Sequence, residues 1–145
     1  MSQETTLDLF LNQDDYRKGS LRSQIGPILE GAFSKIEVNR ILLAIEEAVV
    51  NIFEHGYRGK EGAVGLHLEL LTDRLRVELR DRAPVFDCTA APLRDPASAG
   101  EKGEDGGYGL YLLRTIMDVK HTALADGNLL SLEKSRSVKE EISEN

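Results

Sequence analysis

Patterns of apolar, polar and turn-forming residues predict five β-strands in this sequence. Leu7, Leu9 and Leu11 share one face of a period-two pattern, which predicts a first strand over residues 6–11. The same period recurs over residues 64–70 and 75–81, and two further strands are expected over residues 119–125 and 128–134. The last two segments flank an Asp-Gly pair, the usual centre of a tight hairpin, so we expect them to pair with each other.

Apolar residues at helical spacing predict three helices between these strands. The first helix is expected over residues 15–33, where Gly26-Pro27 should bend or break it. The third follows a glycine-rich segment at residues 106–109. Before that segment, residues 89–107 have no period and are rich in small residues, as in a functional lid or a disordered loop.

The second helix has clear start and stop signals and a distinctive polar stripe. Ser34 and Glu37 match a capping box at its start, and Gly56 is a good stop at its end. Glu47 and Asn51 lie one turn apart in a narrow polar stripe with apolar residues on both sides. The stripe is either the floor of a pocket or an exposed stripe with an ordinary i,i+4 pair.

The strand predicted over residues 75–81 ends on an aspartate. The period of two turns Asp81 inward, together with Leu75, Val77 and Leu79. A buried carboxylate is costly unless a partner or a ligand satisfies it. The alternative is that the strand ends one residue early and Asp81 lies in a turn.

Together, the helical stripe, the inward aspartate and the glycine-rich segment suit a nucleotide. An aspartate accepts a hydrogen bond from an exocyclic amine such as N6 of adenine. Glycines before a helix allow a phosphate to approach its backbone N–H groups. Mg²⁺ takes few protein ligands beside phosphates, so one Asn oxygen is enough, and a carboxylate one turn away can accept a proton.

Composition narrows the classes of function. The 145 residues favour one domain, and a formal net charge of −7 argues against a nucleic-acid-binding surface. A single cysteine, Cys88, rules out an intramolecular disulfide. The N-terminal residues contain neither a basic region nor a long apolar run, so we expect a cytoplasmic protein without a membrane segment.

The motifs and their order resemble the Bergerat-fold (GHKL) ATPases. The closest resemblance is to the small bacterial anti-sigma-factor serine/threonine kinases of the RsbW/SpoIIAB type. The segment AIEEAVVNIFEHGY resembles the N-box of that group, VELRDRAPVFD its first glycine box and GGYGLYLLRTIMD its second.

The resemblance implies an α+β fold, a two-layer α/β sandwich. Its mixed, mostly antiparallel sheet should be covered on one face by about three helices. One histidine-kinase-like ATPase domain is expected over residues 1–135, with an ATP lid at about 89–106 and a polar tail at 136–145.

The resemblance also implies roles for single residues. Glu47 would be the catalytic base, Asn51 the Mg²⁺ ligand and Asp81 the adenine acceptor. The other expected ATP contacts are Ala83, Gly107, Tyr108, Gly109 and Leu110. Ala83 is a departure, because the family commonly has glycine there.

The function implied is phosphorylation of a STAS-type anti-anti-sigma protein with ATP and Mg²⁺, combined with sequestration of a sigma factor. Homodimers are common in the family. The alternative is an ATP-binding regulatory module that sequesters its partner without phosphotransfer. A histidine kinase domain fits less well, because no phosphoacceptor hairpin precedes residue 6.

The three histidines receive no catalytic role. His55 adjoins the polar stripe and either reaches the phosphates or makes a structural hydrogen bond. We interpret His67 and His121 as isolated residues on strands, without the spacing of metal ligands.

Overall fold

The computed structural model describes residues 4–14, 19–58, 60–85 and 113–136. Its elements are β1 (Thr5–Asn12), α1 (Ser20–Glu30), α2 (Lys35–Asn51), a π-helical turn (Ile52–Gly56), β2 (Ala63–Leu70), β3 (Arg74–Asp81), β4 (Asp118–Leu124) and β5 (Gly127–Ser135). A further helical turn covers residues 113–116. None of the helices in these ranges has the length and apolarity required to span a bilayer.

The five strands form one sheet in the order β1-β2-β3-β5-β4. All four pairings in the described residues are antiparallel. The α+β fold class is thus confirmed, although these residues contain no parallel pair of the kind that a mixed sheet implies. The predicted hairpin is also correct, since β4 and β5 pair directly.

One face of the sheet is buried under the helices. Alternate residues of β2 and β3 are buried, as the period of two predicted. Apolar residues of α1, α2 and the turn at 113–116 join them in a single core, for example Ile25, Ile45 and Leu113. On β3, the residues that alternate with the buried ones, such as Arg76 and Glu78, lie on the opposite face.

The first helix differs from its prediction at the Gly26-Pro27 step. It continues without a break to Glu30, although Pro27 cannot donate a backbone hydrogen bond. Ile25 and Leu29 on either side of the proline are fully buried, so their packing holds the helix together.

The second helix begins and ends as predicted, but its last turn has a different geometry. The Ser34 hydroxyl accepts a hydrogen bond of 3.2 Å from the backbone N–H of Glu37. After Asn51 the chain widens into the π-helical turn, which closes with a bond of 2.9 Å from Tyr57 N to Ile52 O. π-Helical turns are rare and are often found at functional sites.

Candidate functional site

Asp81 is the last residue of β3, and its side chain lies on the buried face of the sheet. It is 5% exposed. Its Oδ1 accepts hydrogen bonds of 2.9 Å from Ala83 N and 2.9 Å from Asn128 Nδ2. No group in the described residues donates to Oδ2. The inward orientation is therefore confirmed, and the alternative of a shorter strand is wrong.

Burial dominates the electrostatics of this carboxyl. Desolvation raises the pKa of Asp81 above its ordinary value. The hydrogen bonds from Asn128 and Ala83 and the nearby His121 act in the opposite direction. The Asp81 carboxyl is therefore desolvated by the protein around it, and its Oδ2 is available to accept a hydrogen bond from a further donor.

Asn128, which the sequence patterns did not single out, holds Asp81 from the neighbouring strand. The two residues are direct partners in the β3–β5 register. Asn128 is 4% exposed, and its Nδ2 also lies 3.3 Å from Ala83 O and 3.2 Å from Pro84 O. A polar residue at an inward position of the last strand is the signal that would have identified it.

His121 extends this network by one more side chain. Its Nε2 lies 2.8 Å from Asn128 Oδ1, so Nε2 carries the hydrogen when the Asn128 amide nitrogen faces Asp81. The interpretation of His121 as isolated is therefore wrong. It is also wrong for His67, whose Nδ1 lies 2.7 Å from Asp8 Oδ1 on the open face.

Asn51 and Asp81 meet at one small cavity. The cavity has a volume of about 20 Å³, which is room for about one water molecule. Its lining residues come from α2, the π-helical turn and three strands: Asn51, Ile52, Gly56, Asp81, His121, Asn128 and Leu130. Helix α2 and the end of the central strand β3 thus place the predicted residues Asn51 and Asp81 beside a common space.

Glu47 lies one turn before Asn51 on the same helix and is half-buried. Desolvation raises the pKa of its carboxyl, and the negative charges of Glu46 and Glu54 raise it further. The adjacent Glu46 instead pairs with Arg22 at 2.8 Å across the two helices. Two neighbouring carboxylates on one helix therefore have different electrostatic environments.

The remaining predicted contacts divide into two groups. Ala83 is buried directly after the Asp81 strand, and its methyl group faces Gly56 at the end of the π-helical turn. His55 is exposed at the same helix end. Gly107, Tyr108, Gly109 and Leu110 lie outside the described residues, as does the predicted ATP lid.

Comparison with known proteins places the chain in a family. Residues 24–134 match the histidine kinase-like ATPase domain. The serine-protein kinase RsbW of Listeria innocua is 30% identical over 123 residues, covering 81% of this chain and 78% of that protein. The serine-protein kinase RsbW of Bacillus licheniformis is 27% identical over 108 residues, covering 70% of this chain and 67% of that protein.

A solved structure shows the same fold. The crystal structure of the RsbU and RsbW domains of Rv1364c from Mycobacterium tuberculosis aligns with 92% of this chain, with a TM-score of 0.58 and 20% sequence identity. This chain spans about a third (33%) of that longer protein. The family predicted from the three motifs is confirmed: the chain belongs to the histidine kinase-like ATPase domain family.

Proposed function

We propose that this chain is an ATP-dependent serine/threonine protein kinase that acts in a bacterial partner-switching system. Its substrate would be a STAS-type anti-anti-sigma protein, and its second partner a sigma factor. Kinase function has support at the level of the family, since the curated relatives are serine-protein kinases. The observation that carries the proposal is the cavity shared by Asn51 and Asp81, with Glu47 one turn away.

Asp81 is suited to recognise adenine. Its Oδ1 is saturated by Ala83 and Asn128, which leaves Oδ2 as the acceptor for the exocyclic amine. A buried acceptor that loses its partner is costly, so the site selects for a base with a donor at this position.

Asn51 is suited to hold Mg²⁺ together with the phosphates of ATP. Its amide would supply a hard oxygen ligand beside the cavity that Asn51 shares with Asp81, and Mg²⁺ requires few such ligands from protein. The described residues contain no group of three or more His, Cys, Asp or Glu side chains that would hold a metal without a nucleotide. When bound, Mg·ATP supplies the phosphoryl group and neutralises its charge.

Glu47 would act as the general base for the hydroxyl of the partner protein. Its raised pKa makes the carboxylate a stronger base than an exposed glutamate. The helix keeps it one turn from Asn51, so the proton acceptor and the Mg²⁺ ligand have a fixed relation. The proposal also assigns the phosphate contacts to residues 107–110, which lie outside the described residues.

Transfer of labelled phosphate from ATP to a purified STAS-domain protein tests the proposal. We expect Glu47→Ala to lower the rate by about 10²- to 10⁴-fold while ATP binding is retained. Glu46→Ala is the matched control: it removes a neighbouring charge that contributes to the raised pKa of Glu47 but leaves the Glu47 carboxylate in place, so transfer should fall far less than in Glu47→Ala. Asn51→Ala should weaken the binding of Mg·ATP.

The outcomes of this assay separate the two functions. Normal transfer by Glu47→Ala would remove the proposed base. If the wild-type chain binds ATP but transfers no label to any candidate partner, the regulatory module replaces the kinase. Absence of ATP binding by the wild-type chain would contradict both.

A further inference from the structure

The end of the π-helical turn lies against the turn that follows Asp81. A Cβ atom placed on Gly56 would approach the Cβ of Ala83 to 3.2 Å, closer than carbon atoms normally pack. One residue later, the Tyr57 hydroxyl accepts a hydrogen bond of 2.9 Å from the backbone N–H of Arg82. The helix that carries Asn51 is thus in direct contact with the segment that holds Asp81.

Ala83 cannot move away from this contact without disturbing the carboxylate. It is 2% exposed, and its N–H donates to Asp81 Oδ1 over 2.9 Å. Its carbonyl accepts a bond of 3.3 Å from Asn128. A displacement of Ala83 would therefore shift the hydrogen bonds that orient Asp81.

The helix end is equally constrained. Besides its bond from Arg82, the Tyr57 hydroxyl donates to Ala63 O at the start of β2 over 2.6 Å. The Tyr57 ring packs against Phe53 and lies so close to Gly62 that no side chain would fit there. Neither side of the Gly56–Ala83 contact can retreat freely.

We propose that Gly56 and Ala83 form a size-matched pair that sets the separation of Asn51 and Asp81, with Tyr57 fixing the pair in place. These three are positioning residues for nucleotide binding. The inference rests on the proposed nucleotide site. It adds that residue 56 must lack a side chain because residue 83 carries a methyl group.

The backbone does not explain the glycine at position 56. Among the described glycines, positive φ angles occur at Gly19 and Gly127, not at Gly56. Alanine is also a better helix former than glycine. A loss of function on adding a methyl group at Gly56 would therefore arise from the contact with Ala83.

A double-variant cycle tests the pair. We expect Gly56→Ala to weaken Mg·ATP binding about tenfold, since overpacking a fixed contact displaces its neighbours. Adding Ala83→Gly should restore the affinity to within about twofold, because the methyl group is only moved across the contact. Binding is measured by calorimetry. In phosphotransfer kinetics, the KM for ATP should rise in Gly56→Ala and return toward the wild-type value in the double variant.

Two controls accompany the cycle. Gly26→Ala also adds a methyl group to a helical glycine, but there the new Cβ would lie 3.9 Å from Leu42, an ordinary contact. It should leave ATP binding unchanged. Circular dichroism and thermal unfolding establish that each variant is folded.

Each outcome decides between the proposals. Absence of ATP binding by the wild-type chain would overturn the proposed function and the pair with it. Tight binding by both wild type and Gly56→Ala, or no rescue in the double variant, would overturn the pair alone. If Gly56→Ala does not fold, a double variant that folds and binds ATP supports the pair, and one that also fails to fold overturns it.

Discussion

Two polar networks cross the same sheet on opposite faces. On the inner face, Asp81 of β3 is bound by Asn128 of β5, and both are almost fully buried. On the outer face, Arg76 of β3 lies 3.0 Å from Glu133 of β5 and 3.5 Å from Glu69 of β2. These three outer side chains are each about a third exposed.

The two networks differ in how well water solvates their charged groups. The outer charges remain solvated, so their ion pairs contribute little to stability. The inner carboxylate is desolvated, and its raised pKa shows that the fold disfavours its charge. An apolar pair would fill the inner positions at lower cost. A polar pair at these positions is therefore better explained by ligand binding than by stability.

Of the variants Asp81→Asn, Glu47→Gln and Arg76→Ala, the first should produce the largest change. It should weaken ATP binding and leave the fold intact. The asparagine oxygen can keep both hydrogen bonds of Oδ1, but its NH₂ group then meets the adenine amine, donor against donor. We expect ATP affinity to fall about a hundredfold or more, measured by calorimetry. Binding of inosine triphosphate, which has an acceptor in place of the amine, should suffer less.

The stability of Asp81→Asn provides the internal check. Because burial raises the pKa of Asp81, the neutral amide should leave the free energy of unfolding at neutral pH unchanged or higher. Asp8→Asn on the open face of β1 is a control that should not alter ATP binding. ATP affinity retained by Asp81→Asn would contradict the assignment of adenine to this carboxylate.

Local periodicity predicted the half of the inner network that lies on one strand. Asp81 follows the alternation of its own strand, so its inward orientation was readable from the sequence. The alternation of β5 also places Asn128 inward, but its bonds to Asp81 and His121 depend on how β5 pairs with β3 and β4, and no local pattern contains that register. The continuation of α1 across Pro27 was missed for a related reason, since the burial of Ile25 and Leu29 overrides the tendency of proline to break a helix.

Glu47, a half-buried carboxylate, also tests how burial changes the cost of a charge, and its replacement should have a moderate effect on stability. Its raised pKa means that the folded state holds a proton more tightly than the unfolded chain. Stability is therefore lost as pH rises from the ordinary value of 4.5 through the raised folded pKa. The free energy of unfolding of Glu47→Gln should exceed that of the wild-type chain by less than about 1 kcal/mol at neutral pH, because solvent screens a half-exposed carboxylate.

The pH dependence of Glu47→Gln is the measurement. The gain in the free energy of unfolding should be present above the raised pKa and absent below pH 4.5, as followed by denaturant titration at several pH values. In the wild-type chain, phosphotransfer should decline on acidification with a midpoint above 4.5. If Glu47→Gln were more stable than the wild-type chain only at acidic pH, folding would lower the pKa of Glu47 and not raise it.

Arg76→Ala should have the smallest effect, because it removes the centre of the outer network. Solvent replaces the lost partners of Glu133 and Glu69, so the thermal midpoint should fall only slightly and ATP affinity should not change. Salt screens the pairs of the wild-type chain, so the difference between wild type and variant should shrink as ionic strength rises. Thermal unfolding in low and high salt measures both trends. A large loss of stability that persists in high salt would show that the outer network also depends on desolvated charges, and burial would then no longer distinguish the two faces.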